Sequence, residues 1–115
     1  GAGSTMNEVL DEQRLRQQLK SSHKRLVRLS AVFFQYYRQQ LDDIEQSLEG
    51  EGLPATAHTY KGTVSSFAAD PLVQLCQQLE KRPENSREIL DQLRLLSEKL
   101  RERLEQLPQE EGWIA

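Results

Sequence analysis

The sequence predicts an all-α protein, an antiparallel four-helix bundle with a short extra N-terminal helix. Apolar residues recur every three or four positions through most of the chain, which is the period of one face of an α-helix. No segment shows the β-branched, period-two alternation of a strand. The four prolines, at positions 54, 71, 83 and 108, fall between the periodic segments, where they begin or end helices. Short connections between long helices favour antiparallel neighbours.

The first 22 residues divide into a short lead and a predicted helix. Residues 1–5 resemble an expression scar, and we assign them no function. Residues 6–22 are the predicted N-terminal helix segment. Thr5 and Glu8 are spaced as a capping box that would begin the helix, and the helix is expected to end near Lys20. Its apolar residues are sparse, so we expect it to pack over one end of the bundle rather than to build the core.

The bundle itself is predicted at residues 23–108. Its first helix runs from His23 to Leu48 with one long apolar stripe. Phe34 and Tyr36 widen that stripe at its centre, so we expect both rings in the core. The glycines of the Gly50-Glu51-Gly52 segment then stop the helix.

The other three bundle helices are bounded by prolines and capping residues. We expect the second at residues 53–69, beginning at Leu53 or Pro54. Asp70 is the expected N-cap of the third helix, which ends near Lys81, and Asn85 with Glu88 caps the fourth, which ends at Pro108. Residues 109–115 are expected to be a frayed acidic tail. Within it, Trp113 and Ile114 are the side chains able to dock on the bundle.

Composition argues against several classes of function. A net charge of −3 and a pI of about 5.4 are unlike a nucleic-acid-binding protein, which is usually basic. No apolar run approaches the roughly 20 residues of a membrane span. The single cysteine, Cys76, forms no internal disulfide, and with two histidines it is too few ligands for a structural zinc site. We therefore expect a cytoplasmic domain that contacts neither nucleic acid nor membrane and binds no metal.

The stretch 57–69 stands out because its two helical faces differ in side-chain size. One face is an apolar stripe. On the neighbouring face, His58 is followed by Lys61, Gly62 and Ser65 three, four and seven residues later. A solvated face normally carries long polar side chains, and glycine inside a helix costs about 1 kcal/mol relative to alanine. Gly62 therefore indicates a need for open space beside His58. The other histidine, His23, begins a helix in a polar context and is given no role.

These residues resemble the histidine phosphotransfer (HPt) domain of multistep two-component phosphorelays. The family's pattern places a lysine three and a glycine four residues after the histidine, as Lys61 and Gly62 stand here. The similarity continues through Phe67-Ala68-Ala69 and Leu72-x-x-Leu75-Cys76-x-x-Leu79-Glu80 and covers roughly residues 25–107. Tyr60 departs from the pattern at a position that is more often aliphatic, and we expect a packing adjustment there.

The resemblance implies a phosphoryl carrier. His58 would accept a phosphoryl group from the aspartate of a receiver (response regulator) domain and transfer it to another receiver. Lys61 would offset the phosphoryl charge, and Gly62 would leave the imidazole accessible. Mg²⁺ is expected on the partner receiver, with no cofactor in this chain. Without a Gly-rich phosphate loop, the chain is not expected to act as a kinase on ATP.

The resemblance also implies the surroundings of the site and the protein's context. Thr59 and Ser65 are candidates for hydrogen bonds to the phosphoryl group or the partner, and Leu53 and Ala69, with Val73, form the expected apolar rim for a receiver helix. We expect a monomer, either cut from a hybrid sensor histidine kinase, whose cytoplasmic part it would be, or free-standing. The alternative is a non-catalytic helical adaptor (pseudo-HPt), which the intact set of His58, Lys61 and Gly62 disfavours.

Overall fold

The computed structural model describes residues 8–115, and the regular secondary structure of this part of the chain is helical. Five α-helices are followed by one 3-10 turn: α1 (Glu12–Gln18), α2 (His23–Gln46), α3 (Leu53–Ser65), α4 (Asp70–Glu80), α5 (Ser86–Gln106) and the turn Leu107–Gln109. Helices α2 to α5 form an antiparallel bundle in which α3 packs between α2 and α4 while α5 packs on α2 and α4. Between residues 8 and 115 no β-strand forms. The predicted all-α bundle with an extra N-terminal helix is confirmed.

The core is built from one apolar stripe on each bundle helix. On α2, Phe33 stacks on Tyr37 with ring centroids 4.6 Å apart, and Phe67 meets Phe33 edge-on at 5.5 Å. Phe34 and Tyr36, in contrast, are 38% and 48% exposed. The prediction that they widen the core stripe was wrong. Because α3 and α5 close over the two sides of the Phe33 stripe, the adjacent positions on α2 remain in solvent.

Helix α1 is shorter than predicted and contributes to the core. It begins at Glu12, where the Asp11 side chain accepts a hydrogen bond from the Arg14 backbone N–H at 3.1 Å. Thr5, half of the predicted capping box, lies outside the described residues, and Glu8 is not helical. Leu15 is fully buried, so α1 does more than pack over the end of the bundle. The Asp11 N–H also donates to the Ala68 carbonyl at 2.9 Å, which ties α1 to the α3–α4 connection.

Three helix ends differ from the predictions for local reasons. Helix α2 ends at Gln46, and the Ser47 hydroxyl, rather than a glycine, satisfies its last turn by donating to the Asp43 carbonyl at 2.8 Å. Helix α3 ends at Ser65, because Ala68 adopts the left-handed conformation with φ of 56°. Asn85 holds the N-cap position of α5 but makes no capping bond, since its ψ of 33° is not the extended geometry that capping requires.

Asp70 does not cap α4 as predicted. Ala69 occupies the N-cap position, which makes Asp70 the first residue of α4. The Asp70 carboxylate instead accepts hydrogen bonds from both terminal nitrogens of Arg14 on α1, and the bond from Nη1 is 3.0 Å. A long-range ion pair has therefore replaced the local cap.

The C-terminal residues form an ordered strap across the start of α2, not a frayed tail. The Ile114 N–H donates to the Ser21 carbonyl at 2.7 Å, and the His23 N–H donates to the Ile114 carbonyl at 2.9 Å. Trp113 packs against the core with the Arg16 guanidinium 4.4 Å from its ring centre. The docking expected of Trp113 is confirmed, whereas the Ile114 side chain stays 65% exposed and only its backbone pairs.

None of the helices between residues 8 and 115 combines the length and the apolarity that crossing a membrane would require.

Candidate functional site

Helix α3 separates a buried face from an exposed ridge of small residues. The buried face holds Tyr60, whose hydroxyl lies 2.7 Å from the Ser97 hydroxyl of α5. This contact and the surrounding apolar packing fix the rotation of α3 about its axis. The opposite face exposes His58 together with side chains no larger than threonine: Ala55, Thr59, Gly62 and Ser65. The imidazole is therefore the side chain that extends farthest from the ridge.

Within the described part of the chain, the His58 imidazole is hydrogen-bonded on one side only. Its Nδ1 lies 2.8 Å from Oε1 of Glu80, near the end of α4, and its side chain is 71% exposed. The other Glu80 oxygen, Oε2, accepts a hydrogen bond from Lys61 Nζ at 2.8 Å. One carboxylate thus bridges the histidine and the lysine, which stand three residues apart on α3.

The charge on Glu80 determines which imidazole nitrogen is available. The hydrogen bond from Lys61 lowers the pKa of Glu80, and the bond from His58 adds to this effect, although partial burial opposes both. Glu80 is therefore ionised at neutral pH and can only accept hydrogen bonds. Its contact with His58 assigns the proton of a neutral ring to Nδ1, so that Nε2 keeps its lone pair and faces solvent.

The space around Nε2 is open. Apart from its own helix and chain neighbours, a Cβ atom placed on Gly62 would meet no heavy atom of the described residues within 4 Å. The hydroxyls of the ridge point back to the helix: Ser65 donates to the Gly62 carbonyl at 3.0 Å and Thr59 to the Ala55 carbonyl at 3.1 Å. A second protein can therefore reach the imidazole without displacing a long side chain.

A shallow groove between α2 and α3 runs alongside the ridge. Its floor is apolar, and Val32 on its α2 side is 53% exposed. The groove is lined by Leu29, Val32, Phe33, Thr59, Gly62, Thr63, Ser66 and Phe67. An exposed apolar surface beside a reactive group is typical of a protein-docking site.

A family model described as the Hpt domain matches residues 28–110 of this chain. The chain belongs to the Hpt domain family. Hpt domains are helical bundles that carry phosphoryl groups in phosphorelays and interact with receiver domains, and they are phosphocarriers rather than kinases. The comparisons with curated proteins and with solved structures gave no match.

In this Hpt domain, two of the residues expected at the rim are not on the surface. Leu53 is 1% exposed and Ala69 is fully buried. Leu53 turns inward because it begins the apolar stripe of α3, and Ala69, the last residue of the α3–α4 connection, packs into the core. Their assignment to an exposed rim was wrong. Val73 is half-buried, and Thr59 and Ser65 are exposed as expected.

Sequence reasoning missed Glu80 as a member of the site. It follows His58 by 22 residues and lies on another helix, so no periodic pattern links the two. The only signal was its place at the end of the family motif. The groove was missed as well, because no role was assigned to Val32, the exposed residue that lines it on α2.

The described residues offer no obvious metal site. Between residues 8 and 115, no three side chains of His, Cys, Asp or Glu come together in a way that could hold a metal ion. Cys76 is buried on α4, and burial raises the pKa of its thiol to about 12. The thiol is therefore protonated at neutral pH and unsuited to binding a metal.

Proposed function

We propose that His58 takes a phosphoryl group from the aspartyl phosphate of one receiver domain and passes it to an aspartate of another. The observation that carries this proposal is the exposed Nε2 of an imidazole whose Nδ1 is already hydrogen-bonded to Glu80. A neutral imidazole nitrogen is a nucleophile near neutral pH and needs no partner base. We expect this relay in the cytoplasm, with the chain as a monomer.

In the forward step, the Nε2 lone pair bonds to phosphorus while the bond from phosphorus to the aspartate oxygen breaks and leaves a carboxylate. His58 loses no proton at the attacking nitrogen, because that nitrogen carries none. The ring gains positive charge, and the Glu80 carboxylate, 2.8 Å from Nδ1, stabilises it. Transfer to the second receiver is the reverse of this step, so the same contacts serve both directions.

Lys61 supplies a cation one helical turn from His58. Its Nζ is held 2.8 Å from Glu80 Oε2, and its side chain is 24% exposed, so the ammonium is near the surface where the phosphoryl group would sit. Phosphoryl transfer passes through a loose transition state that depends mainly on positioning and on nearby cations. We assign the Mg²⁺ ion to the receiver and no cofactor to this chain.

The groove beside the ridge is the surface on which we propose that a receiver helix docks. Val32 and Tyr36 on α2 would pack against apolar side chains of that helix. Thr59 and Ser65 on α3 would face the partner across the imidazole. The small residues of the ridge allow the receiver's aspartate to approach Nε2 closely enough for transfer.

The first experiment follows a phosphoryl label from receivers to this chain. A panel of receiver domains is phosphorylated with a small-molecule donor and mixed with the wild-type chain, His58→Gln or His23→Gln. We expect acid-labile, base-stable label on wild type and on His23→Gln but none on His58→Gln. Label on His58→Gln would mean that another residue carries the phosphate. No label on a folded wild-type chain from any receiver would favour the adaptor.

The role of Glu80 is tested separately from that of His58. With Glu80→Ala, we expect the transfer rate to fall about tenfold, because the preferred tautomer and the charge stabilisation are both lost. Imidazole ¹⁵N shifts would report the proton on Nδ1 in the neutral wild-type ring and a mixed population in the variant. Glu84→Gln, which removes one exposed carboxylate elsewhere, should leave both measurements unchanged. An unaltered tautomer in Glu80→Ala would contradict this role.

A further inference from the structure

The exposed side of α2 beside the groove changes in charge along its length. Arg25 and Arg28 stand at its N-terminal end, Val32 and Tyr36 at its centre, and Asp43 near its C-terminal end. Arg28, Val32 and Tyr36 follow one another at intervals of four residues, and at the helical period Arg25 and Asp43 fall on the same side. The apolar edge of the groove is therefore basic at one end and acidic at the other.

The two arginines differ from most others in the chain. Seven of the ten arginines form ion pairs: Arg14, Arg16, Arg38, Arg87, Arg94, Arg101 and Arg103. Arg25 and Arg28 are exposed and have no ion pair within residues 8–115. Residues 1–7 contain no carboxylate side chain that could pair with them. Lys20 and Lys24, nearby and also exposed, increase the local positive charge.

We propose that Arg25 and Arg28 bind an acidic patch on the receiver helix that docks in the groove, and so fix the direction in which that helix lies. This inference rests on the proposed function. An apolar groove gives affinity but little directional preference, since a helix could lie in it either way. With basic residues at one end and Asp43 at the other, a helix with an acidic end is attracted in one direction and repelled in the other.

The distances allow one helix to reach both features. With a rise of about 1.5 Å per residue, Arg28 is roughly 6 Å along α2 from Val32, and Arg25 roughly 10 Å. A docked helix of three or four turns spans this length. The charges would also act before contact, because exposed charges attract each other over about 10 Å before salt at moderate ionic strength screens them. The occupant we infer has apolar residues at its centre and carboxylates at one end.

A membrane or nucleic acid is a less suitable partner for these arginines. The chain has a net charge of −3, and carboxylates are concentrated on the distal half of α2 and the loop after it, at Asp42, Asp43, Glu45, Glu49 and Glu51. A broad anionic surface would meet this acidic region as well as the basic end. A compact acidic patch on a docked protein meets the arginines alone.

The experiment compares two double variants with the same change in net charge. Arg25→Glu with Arg28→Glu reverses the proposed contact, whereas the control, Arg82→Glu with Lys99→Glu, reverses two exposed basic residues that lie outside α2. The first variant should fold, because a glutamate at position 25 completes a capping box with Ser22, the N-cap of α2. Transfer and binding are both measured, using the same receiver panel as for His58.

For a receiver that binds wild type, we expect the arginine variant, Arg25→Glu with Arg28→Glu, to lose about tenfold in binding and transfer at low salt and the control variant less than about twofold. High salt should bring the two variants together, because it screens exposed charges. Equal losses in both variants, or no loss in the arginine variant, would overturn the inference. So would binding of the arginines to anionic vesicles or DNA with receiver binding unchanged.

Failure of the proposed function gives a different result. A wild-type chain that binds receivers but takes no label would contradict the phosphoryl chemistry of His58 while the binding measurement still tests the arginines. Label that reaches wild type and the arginine variant equally fast would contradict the arginine contact alone. A wild-type chain that binds no receiver would overturn both.

Discussion

Gly62 is the residue at which helix stability and access to His58 oppose each other. It lies inside α3, where glycine costs about 1 kcal/mol relative to alanine. Within residues 8–115, a Cβ atom there would meet nothing within 4 Å outside its own helix, so no packing among these residues requires the glycine. In the proposed transfer, the missing side chain leaves room for a partner to come close to the neighbouring imidazole.

We therefore expect substitutions of Gly62 to separate stability from transfer. Gly62→Ala should raise the free energy of unfolding by about 0.5–1 kcal/mol, measured with urea. Gly62→Gln should remain folded but lower the rate of transfer from a receiver at least about tenfold, because its side chain would stand beside Nε2. Ala31→Gln, on the far side of α2, is the matched control and should transfer normally. Normal transfer by Gly62→Gln would show that access does not limit the reaction.

Single residues of the site were predictable only where they share a helix. His58, Lys61 and Gly62 are three and four residues apart, so a helical period brings them together without knowledge of the fold. Glu80 requires the packing of α4 on α3, which no local pattern encodes. Thr59 and Ser65 were correctly expected on the surface, although their hydroxyls donate to their own helix.

At the scale of the helices, it was easier to predict that a helix forms than to predict the residue at which it ends. The long apolar repeats of α2 and α5 predicted both helices to within a few residues. Their ends depend on contacts between distant segments, as when Arg14 takes the Asp70 carboxylate that would otherwise cap α4. The error at Phe34 and Tyr36 has a related cause, because a repeat shows which side of a helix is apolar but not how wide a stripe its neighbours cover.

Arg82 gives a testable consequence at the end of α4. It follows the last turn with φ of 55°, a conformation that glycine adopts without strain and that commonly ends helices. Its side chain is exposed and makes no ion pair within the described part of the chain. We expect Arg82→Gly to raise the free energy of unfolding by about 0.5–1 kcal/mol in urea.

The neighbouring residue provides the comparison for Arg82. Lys81 has φ of −87°, a conformation that any residue adopts without strain. Glycine at this position would relieve no strain and would add flexibility to the unfolded chain. Lys81→Gly should therefore lower the free energy of unfolding by about 0.5–1 kcal/mol. If both glycine variants shifted stability in the same direction, backbone conformation would not be the cause.

On the scale of the whole molecule, the C-terminal strap is joined to helix α1 rather than left free. Gly112 has φ of 99°, and the Arg16 guanidinium occupies the space that a side chain there would need. Arg103 of α5 donates to Glu12 of α1 at 2.8 Å and also pairs with Glu110. The bundle pattern predicted the four main helices, but the strap consists of backbone pairs and single contacts that carry no periodic signal.

Trp113 allows the strap to be tested, because it is the only tryptophan in the chain. We expect its fluorescence and the helical circular dichroism to change together during urea unfolding, since the strap packs on the common core. Trp113→Ala should lower the free energy of unfolding by about 1–3 kcal/mol, less than for a fully buried ring. A fluorescence change at lower urea than the loss of helix would show that the strap detaches by itself.

The strap should matter little for phosphoryl transfer. The strap crosses the start of α2. His58 lies towards the other end of α2, because the hydroxyl of Thr56, two residues before His58, is 2.8 Å from the hydroxyl of Ser47, which follows that end. Under conditions where it is fully folded and the receiver is saturating, Trp113→Ala should therefore accept label as fast as wild type, because saturation removes any effect of the strap on the neighbouring Arg25 and Arg28.

The division of labour between neighbouring helices has a consequence for how such pathways diverge. In the proposed docking, the reactive groups stand on α3 and α4, while the exposed residues that would distinguish one docked helix from another stand on α2. A lineage can therefore acquire a new upstream or downstream partner by changing a few solvent-facing positions on one helix. The nucleophile and its carboxylate stay the same, so signalling circuits can be rewired without any period in which the carrier is inactive.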